Sequence, residues 1–305
     1  MTVVGGSVRA GVEIGEVSGG EFCRLPQPGE LFSRRADRFE FLATDHPMSA
    51  YLRFLEALAR AQHAAVAVPS GFASPTAAHL ERCREHAMPP LRPLTATSEA
   101  GWRPTLDRIL DGLGPADLPA PASAAIAWLR GADSAALTEL AEAFLAYEYP
   151  AEGLAETMLV GAALQVEHAR LASLLDASRL VPIGEGLCPA CGALPVSGMV
   201  VDWPRAHDLR YLFCSVCGTG WNHVRIKCAF CASTKGIGYQ SIAGGDEAVT
   251  VETCDACKGY LKLIRQNRSP KADPVADDVA SLALDLLVRE AGWQRRASNL
   301  FLAGT

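Results

Sequence analysis

The sequence has no apolar run near the ~18 residues that a helix needs to span a bilayer, so no membrane span is expected. It has no phosphate-cradling glycine loop, no His-Glu-x-x-His pair and no nucleophile elbow, so enzymatic chemistry has no visible carrier. The expectation is a protein that is not an enzyme. An excess of basic residues is also missing. The formal net charge is −6, and no overall positive field recommends nucleic acid as a partner. Residues 1–20 hold six glycines and lack the apolar core of a secretory signal, so they are not expected to act as one; they are expected to form a flexible N-terminus. Arg34-Arg35 is a twin arginine, but Ala-Asp-Arg-Phe-Glu follows where an export signal needs an apolar stretch. That pair is expected to be solvated charge near a helix start, and the protein to be cytoplasmic.

What the chain does have is ten cysteines, unevenly placed. Cys23 and Cys83 stand alone and read as ordinary thiols. The other eight lie between 188 and 257. In a reducing compartment clustered cysteines favour metal ligation or catalysis over disulfides. No βαβ pattern surrounds any pair, which disfavours thioredoxin-like dithiol chemistry. The chain is long enough for two domains, and the cysteine asymmetry divides it near residue 185.

The first part reads as helical. Thr44-Asp45-His46-Pro47 offers a cap and an early proline, and Met48, Tyr51, Leu52, Leu55, Leu58 and Ala59 follow at helical spacing. Ser74-Pro75 opens a second helix, and a third starts around Pro104. Alanine-rich helices are expected at about 122–130 and 134–147, and a long amphipathic one over 151–177. Together they imply an irregular bundle over residues 21–185. A helical pattern returns in VADDVASLALDLLVREAG, with Val279, Leu282, Ala283, Leu286 and Leu287 on one stripe.

Between these helical parts stand four Cys-x-x-Cys pairs: Cys188/Cys191, Cys214/Cys217, Cys228/Cys231 and Cys254/Cys257. Each cysteine of the first two pairs recurs 40 residues later, giving C-x2-C-x22-C-x2-C twice. A period of this length marks a repeated unit, and the spacing matches zinc ribbons and rubredoxins, in which two knuckles present four thiolates to one ion. The expected modules are 186–227, holding Cys188, Cys191, Cys214 and Cys217, and 228–269, holding Cys228, Cys231, Cys254 and Cys257. Residues 270–305 form a C-terminal helix and tail. The rival grouping of Cys214, Cys217, Cys228 and Cys231 leaves the repeat unexplained. Glycine follows the second cysteine of each knuckle in the first module, as Gly192 and Gly218. The second module has Ala232 and Lys258 there, so strained knuckles or a more exposed metal are expected. The fold class is therefore multi-domain α+β, a helical domain followed by two tandem rubredoxin-like or zinc-ribbon modules and a helix.

Closed four-thiolate sites are usually structural, yet iron held by the same ligands is redox-active, and ligand identity does not separate the two. Nucleic-acid binding, common among zinc ribbons, is poorly supported. Residues 186–269 carry nine Lys/Arg against six Asp/Glu, and the thiolates offset that excess even after two divalent ions are added. Lys258, Lys262, Arg265 and Arg268 read as a solvated basic face. His168 has no ligand partner nearby in sequence, and a metal role for His223 would need a spare cysteine.

The runs CPACGALPVSGMV, LRYLFCSVCGTGWNHVRIKCAFC, ETCDACKGYLKLI and VADDVASLALDLLVREAG, with NLFL, resemble the FdhE family of bacterial accessory proteins for formate dehydrogenase. HPMSAYLRFLEALARAQ resembles the family's helical N-terminal portion more loosely. The resemblance implies iron, with zinc competing, held by the eight cysteines. It also implies contact with the catalytic subunit of formate dehydrogenase before export; a homo-oligomer is left open. An electron carrier of rubredoxin type and a nucleic-acid-binding zinc ribbon are the competing classes. The cysteine-rich half and the DDVASLALD helix are expected to form much of the client surface.

Overall fold

The computed structural model describes residues 22–91, 99–114, 116–203, 206–243 and 247–303; the N-terminus expected to be flexible, 1–20, lies outside them. The described chain opens with a two-residue strand, β1 (Cys23–Arg24), and then turns helical. In α1 (Pro28–Leu42) Pro28 sits in the first turn, where a missing N–H costs little, and Phe32, Ala36 and Phe39 line one buried face. Arg34 is exposed as expected, but its neighbour is not. Arg35 and Arg38 are drawn inward with the aromatic face, and each meets a carboxylate from the far end of the chain. Arg35 Nε lies 3.2 Å from Asp273 Oδ1, and Arg38 Nη2 lies 2.5 Å from Asp277 Oδ1.

In α2 (Ser49–Ala65) the expected stripe of Leu52, Leu55, Leu58 and Ala59 is buried. Its start is stabilised by His46, whose Nδ1 accepts the Met48 N–H at 3.1 Å, and not by a Thr44 or Asp45 side chain. Thr76 caps α3 (Ala77–Glu85). Next comes α4 (Glu99–Leu113), which begins ahead of the expected Pro104 because burial of Trp102 anchors an earlier turn. Two short helices, α5 (Ala120–Gly131) and α6 (Ser134–Ala146), lead to α7 (Leu154–Ser173). From Leu159 to Ala169 every residue of α7 is buried, so it is the central helix and not an amphipathic surface one. Its buried Glu167 is satisfied inside: it accepts from Ser70 Oγ at 2.6 Å and pairs with Arg170.

Six strands follow: β2 (Pro195–Trp203), β3 (Ala206–Cys214), β4 (Gly220–Asn222), β5 (Ile237–Gln240), β6 (Val249–Cys254) and β7 (Gly259–Arg265). Each module is a knuckle, two antiparallel strands, a second knuckle and a third strand. The 40-residue repeat is thus a structural repeat: β2, β3 and β4 correspond to β5, β6 and β7. The modules are joined edge to edge, because β2 pairs in parallel with β7 through Gly198–Leu263 and its neighbours. The sheet order is β1-β4-β3-β2-β7-β6-β5, with β8 (Gln294–Arg295) beside β7. β1, which has no strand signal in so short a run, extends the first module by pairing with β4.

One face of this sheet shares a core with the helices, in which Val196, Leu212 and Leu261 join Leu159, Val166 and Phe39. The other face, with Met199, Tyr211, Val251 and Ile264, is covered by Leu284 and Val288. Those two residues belong to α9 (Leu282–Glu290), which follows α8 (Ala276–Ala280) after a break at Ser281. The break shifts the helical phase. Val279 is buried as expected, but Leu286 and Leu287 are about half exposed and Ala283 is exposed. The first turns of DDVASLALD do not form an open surface. Asp277 faces α1 through Arg38, while Asp278 faces the sheet through Lys262 and Arg295. This short helix bolts the helical layer to the sheet. The tail returns to the helices, with Tyr51 donating to the Phe301 carbonyl at 2.6 Å. No helix among the described residues is long and apolar enough to cross a membrane.

Candidate metal centres

Each knuckle turns because the residue after its second cysteine adopts a left-handed conformation. In the first module these are Gly192 and Gly218, at φ 79° and 74°. In the second they are Ala232 and Lys258, at φ 61° and 52°, where a Cβ crowds the following carbonyl. Sequence spacing alone anticipates this difference. Ala232→Gly is expected to stabilise the second module by up to ~1 kcal/mol, the relief of the left-handed strain less the added chain entropy. Chemical denaturation of the metal-loaded protein checks it.

The turns gather the eight sulfurs into two groups, Cys188, Cys191, Cys214 and Cys217, and Cys228, Cys231, Cys254 and Cys257. Within each, the sulfurs lie within 4.8 Å of one another. Cys188 and Cys217 approach to 3.6 Å and Cys191 and Cys214 to 3.3 Å. Their counterparts one repeat later, Cys228–Cys257 and Cys231–Cys254, stand at 3.8 and 3.6 Å. A tetrahedron with ~2.3 Å metal–sulfur bonds has sulfur–sulfur edges of ~3.8 Å, so both donor sets fit an ion. None of the cysteines is in a disulfide. The chain segment CSVCGTGWNHVRIKCAFC is therefore a junction: its first pair closes one group and its second pair opens the next.

The charge balance of the first group also calls for a cation. Burial pushes the Cys188 thiol well above its ordinary value. Cys217 is held well below its own, because the neighbouring thiols and the Thr219 hydroxyl, 3.1 Å away, outweigh its burial. Four buried sulfurs cannot all ionise unless positive charge is placed among them. A divalent ion held by the four cysteines would supply it.

Helices and loops of the N-terminal half enclose this first group. The Leu91 N–H donates to the Ala190 carbonyl at 3.0 Å, and Gln165 Nε2 donates to the Ser215 carbonyl at 2.9 Å. The Leu194 N–H donates to the Tyr147 hydroxyl at 2.7 Å. Leu31 packs against Gly218. Sequence reasoning misses Leu91, Tyr147 and Gln165, which come from distant helices or loops; Thr219 alone had a local signal, two residues past a ligand-type cysteine. Cys23 is buried beside the same group, and burial followed by the nearby Cys217 raises its thiol. His168 is buried in neither sulfur group. Burial lowers its pKa, and its Nδ1–H donates to the Leu164 carbonyl at 2.8 Å.

The second group is held through Arg210 and Gly186. Arg210, fully buried on β3, pairs with Glu252 on β6 and donates to the carbonyls of Val224 and Lys227, both at 2.6 Å. It so fixes the link between the modules. His223 belongs to this bracket and not to a metal group: its Nε2 lies 2.8 Å from Glu185 Oε1. Gly186, at φ 62°, presses on the first knuckle of the second group; a Cβ there would stand 1.9 Å from the Ala229 carbonyl oxygen. Gly186→Ala is expected to destabilise the protein by ~2 kcal/mol or more. Gly131→Ala, where nothing lies within 4 Å, is expected to be neutral or slightly stabilising. Thermal unfolding of the pair checks both. The basic face expected around Lys258 is dispersed: Lys262 is buried, Lys258 pairs with Asp255, and Arg268 pairs with Glu247.

Comparison with known proteins places these features in one lineage. Family models for the FdhE N-terminal, central and C-terminal domains match residues 21–185, 187–225 and 226–302. A protein FdhE homolog of Rhizobium meliloti (strain 1021) is 43% identical over 294 residues, covering 95% of this chain and 96% of the relative. A homolog from Stutzerimonas stutzeri (strain A1501) is 38% identical and covers 92% of each chain. The crystal structure of the FdhE protein from Pseudomonas aeruginosa superposes with a TM-score of 0.82 at 38% identity, covering 93% of this chain and 99% of that one. With all three domain models matched in order along nearly its whole described length, the chain belongs to the FdhE family.

Proposed function

We propose that this protein is a cytoplasmic, non-catalytic accessory factor for the formation of active formate dehydrogenase. It binds the catalytic subunit before export, and it carries one metal ion in each module. Cys188, Cys191, Cys214 and Cys217 hold the first ion, and Cys228, Cys231, Cys254 and Cys257 hold the second. Iron is the proposed metal, with zinc as its competitor. The working division is a helical domain at 21–185, modules at 186–227 and 228–269, and a C-terminal helix and tail at 270–305. The observation that carries this reading is the pair of closed four-thiol groups in a chain of the FdhE family.

Because α8 and the tail are built into the shared core, deleting residues 186–305 would expose that core, and point variants are the sounder probe. In a host lacking this gene, formate dehydrogenase activity should be restored by the wild type and not by Cys191→Ser or Cys254→Ser. Anaerobically purified protein should hold two metal equivalents and retain the catalytic subunit in a pull-down. Full complementation by both variants, or protein without bound metal, would sink the proposal. A second reading, one-electron carriage by iron, is favoured by the exposure of Cys231. It requires a visible spectrum that bleaches with dithionite and returns in air.

A further inference from the structure

The two sulfur groups share a geometry and differ in enclosure. Every cysteine of the first is at most 6% exposed. In the second, Cys228 and Cys254 are buried, Cys257 is half-buried and Cys231 is exposed. The residues after Cys231 continue the opening: Ala232, Thr234, Lys235 and Gly236 are all exposed. The cover is one-sided. Gly186 seals the inner side of this knuckle at Ala229, while β5, the last strand of the sheet, leaves the outer side to solvent. The first group, in contrast, is held at Ala190 by Leu91, at Ser215 by Gln165 and at Gly218 by Leu31. Its knuckles turn on glycines; those of the second turn on Ala232 and Lys258 in a conformation L-residues resist.

We propose that the second centre exchanges its metal with soluble thiol ligands through the Cys231–Cys257 face, while the ion of the first centre stays locked in the core. The inference rests on the two-metal reading above. An ion held by four thiolates leaves by stepwise substitution: an incoming thiol binds the metal as one protein sulfur departs. Cys231 is the sulfur that solvent reaches, so its bond to the metal is the first to break. The incoming sulfur takes its place on the ion, and the proton of the incoming thiol passes to the Cys231 sulfur. No electron moves and the metal keeps its charge. At the first centre no incoming ligand reaches the ion without displacing Leu91, Leu31 or α7 from the knuckles. The second centre is thus suited to accept from, or hand to, a thiolate-bearing carrier, and the first to hold the fold together.

The test uses the full chain loaded with zinc to two equivalents, verified by native mass spectrometry, and challenged with excess glutathione, with 4-(2-pyridylazo)resorcinol present to report the zinc released. Release is expected in two phases of one equivalent each, with rates at least about tenfold apart, ~1.4 kcal/mol in barrier. Iodoacetamide added during the fast phase to the wild-type protein should modify Cys228, Cys231, Cys254 and Cys257 and spare the first group; peptide mapping reads this without any variant. Cys231→Ser should remove the fast phase and keep the slow one. A single phase for both ions, or early modification at Cys188, Cys191, Cys214 or Cys217, would overturn the inference while leaving the two-metal reading intact. Fewer than two equivalents at the outset would overturn the two-metal reading, and this inference with it.

Discussion

Cys188→Ser is expected to release one metal equivalent and to destabilise the whole molecule, not one module. The Cys188 side chain is fully buried and belongs to the core shared by the helices, the first module and the tail. Loss of one thiolate opens the ligand set and leaves a polar hydroxyl among three sulfurs that no ion neutralises. The expected cost is ~3–5 kcal/mol, of the order found when one partner of a buried charged assembly is removed. Cys231→Ser should also release one equivalent, but from the exposed group, with a markedly smaller loss of stability. Metal analysis alongside thermal unfolding by circular dichroism distinguishes the two. Equal losses of stability, or loss of the same ion by both variants, would contradict the division into an inner and an outer centre.

The second large effect lies away from the metal sites. Lys262 on β7 is fully buried between Asp278 of α8 and Asp285 of α9, and it donates to the Asp278 carbonyl at 2.6 Å. Arg295 reaches Asp278 at 2.6 Å and Asp285 at 2.7 Å, and the Tyr260 hydroxyl donates to Asp285 at 2.9 Å. Asp278 Oδ1 lies 3.4 Å from the Lys262 ammonium, and Asp285 Oδ2 is in direct contact with it. Lys262→Met therefore leaves two buried carboxylates with one cation, at an expected cost of ~3–5 kcal/mol. Urea unfolding measures it.

The same network gives a pH dependence. Burial pulls the Asp278 carboxyl upward, but Arg295 and then Lys262 outweigh it and hold it below the ordinary carboxylate value. A depressed folded-state pKa contributes stability that is complete above the unfolded value of ~3.9 and is lost as pH falls below it. Lys262→Met removes one cause of the depression, so its acid-unfolding midpoint should move to higher pH. A variant with wild-type stability and an unchanged acid midpoint would show that the network adds nothing to the fold.

The metal groups were legible because knuckle spacing is local. Two residues between cysteines bring both sulfurs to one point, and the 40-residue period pairs the knuckles without knowledge of the strands between them. The left-handed turns at Ala232 and Lys258 were legible for the same reason. Charge was misleading wherever its partner lay far away in the chain. Arg35 and Lys262 look like solvated residues in sequence, yet each is buried against an aspartate of the C-terminal segment. The stripe through Leu286 and Leu287 failed because the helix breaks at Ser281, which rotates everything after it.

By itself the sequence determined the helical half, the two modules and the grouping of eight cysteines, since each rests on periodicity or on spacing between near neighbours. Only the tertiary structure decided that the modules form one sheet, that α8 bolts this sheet to α1, and that one centre is enclosed while the other faces solvent. Enclosure depends on what distant residues such as Leu31, Leu91 and Gln165 cover when the chain folds back. Two identical spacings carry no record of that cover; the missing knuckle glycines at Ala232 and Lys258 pointed only to strain or a more exposed metal.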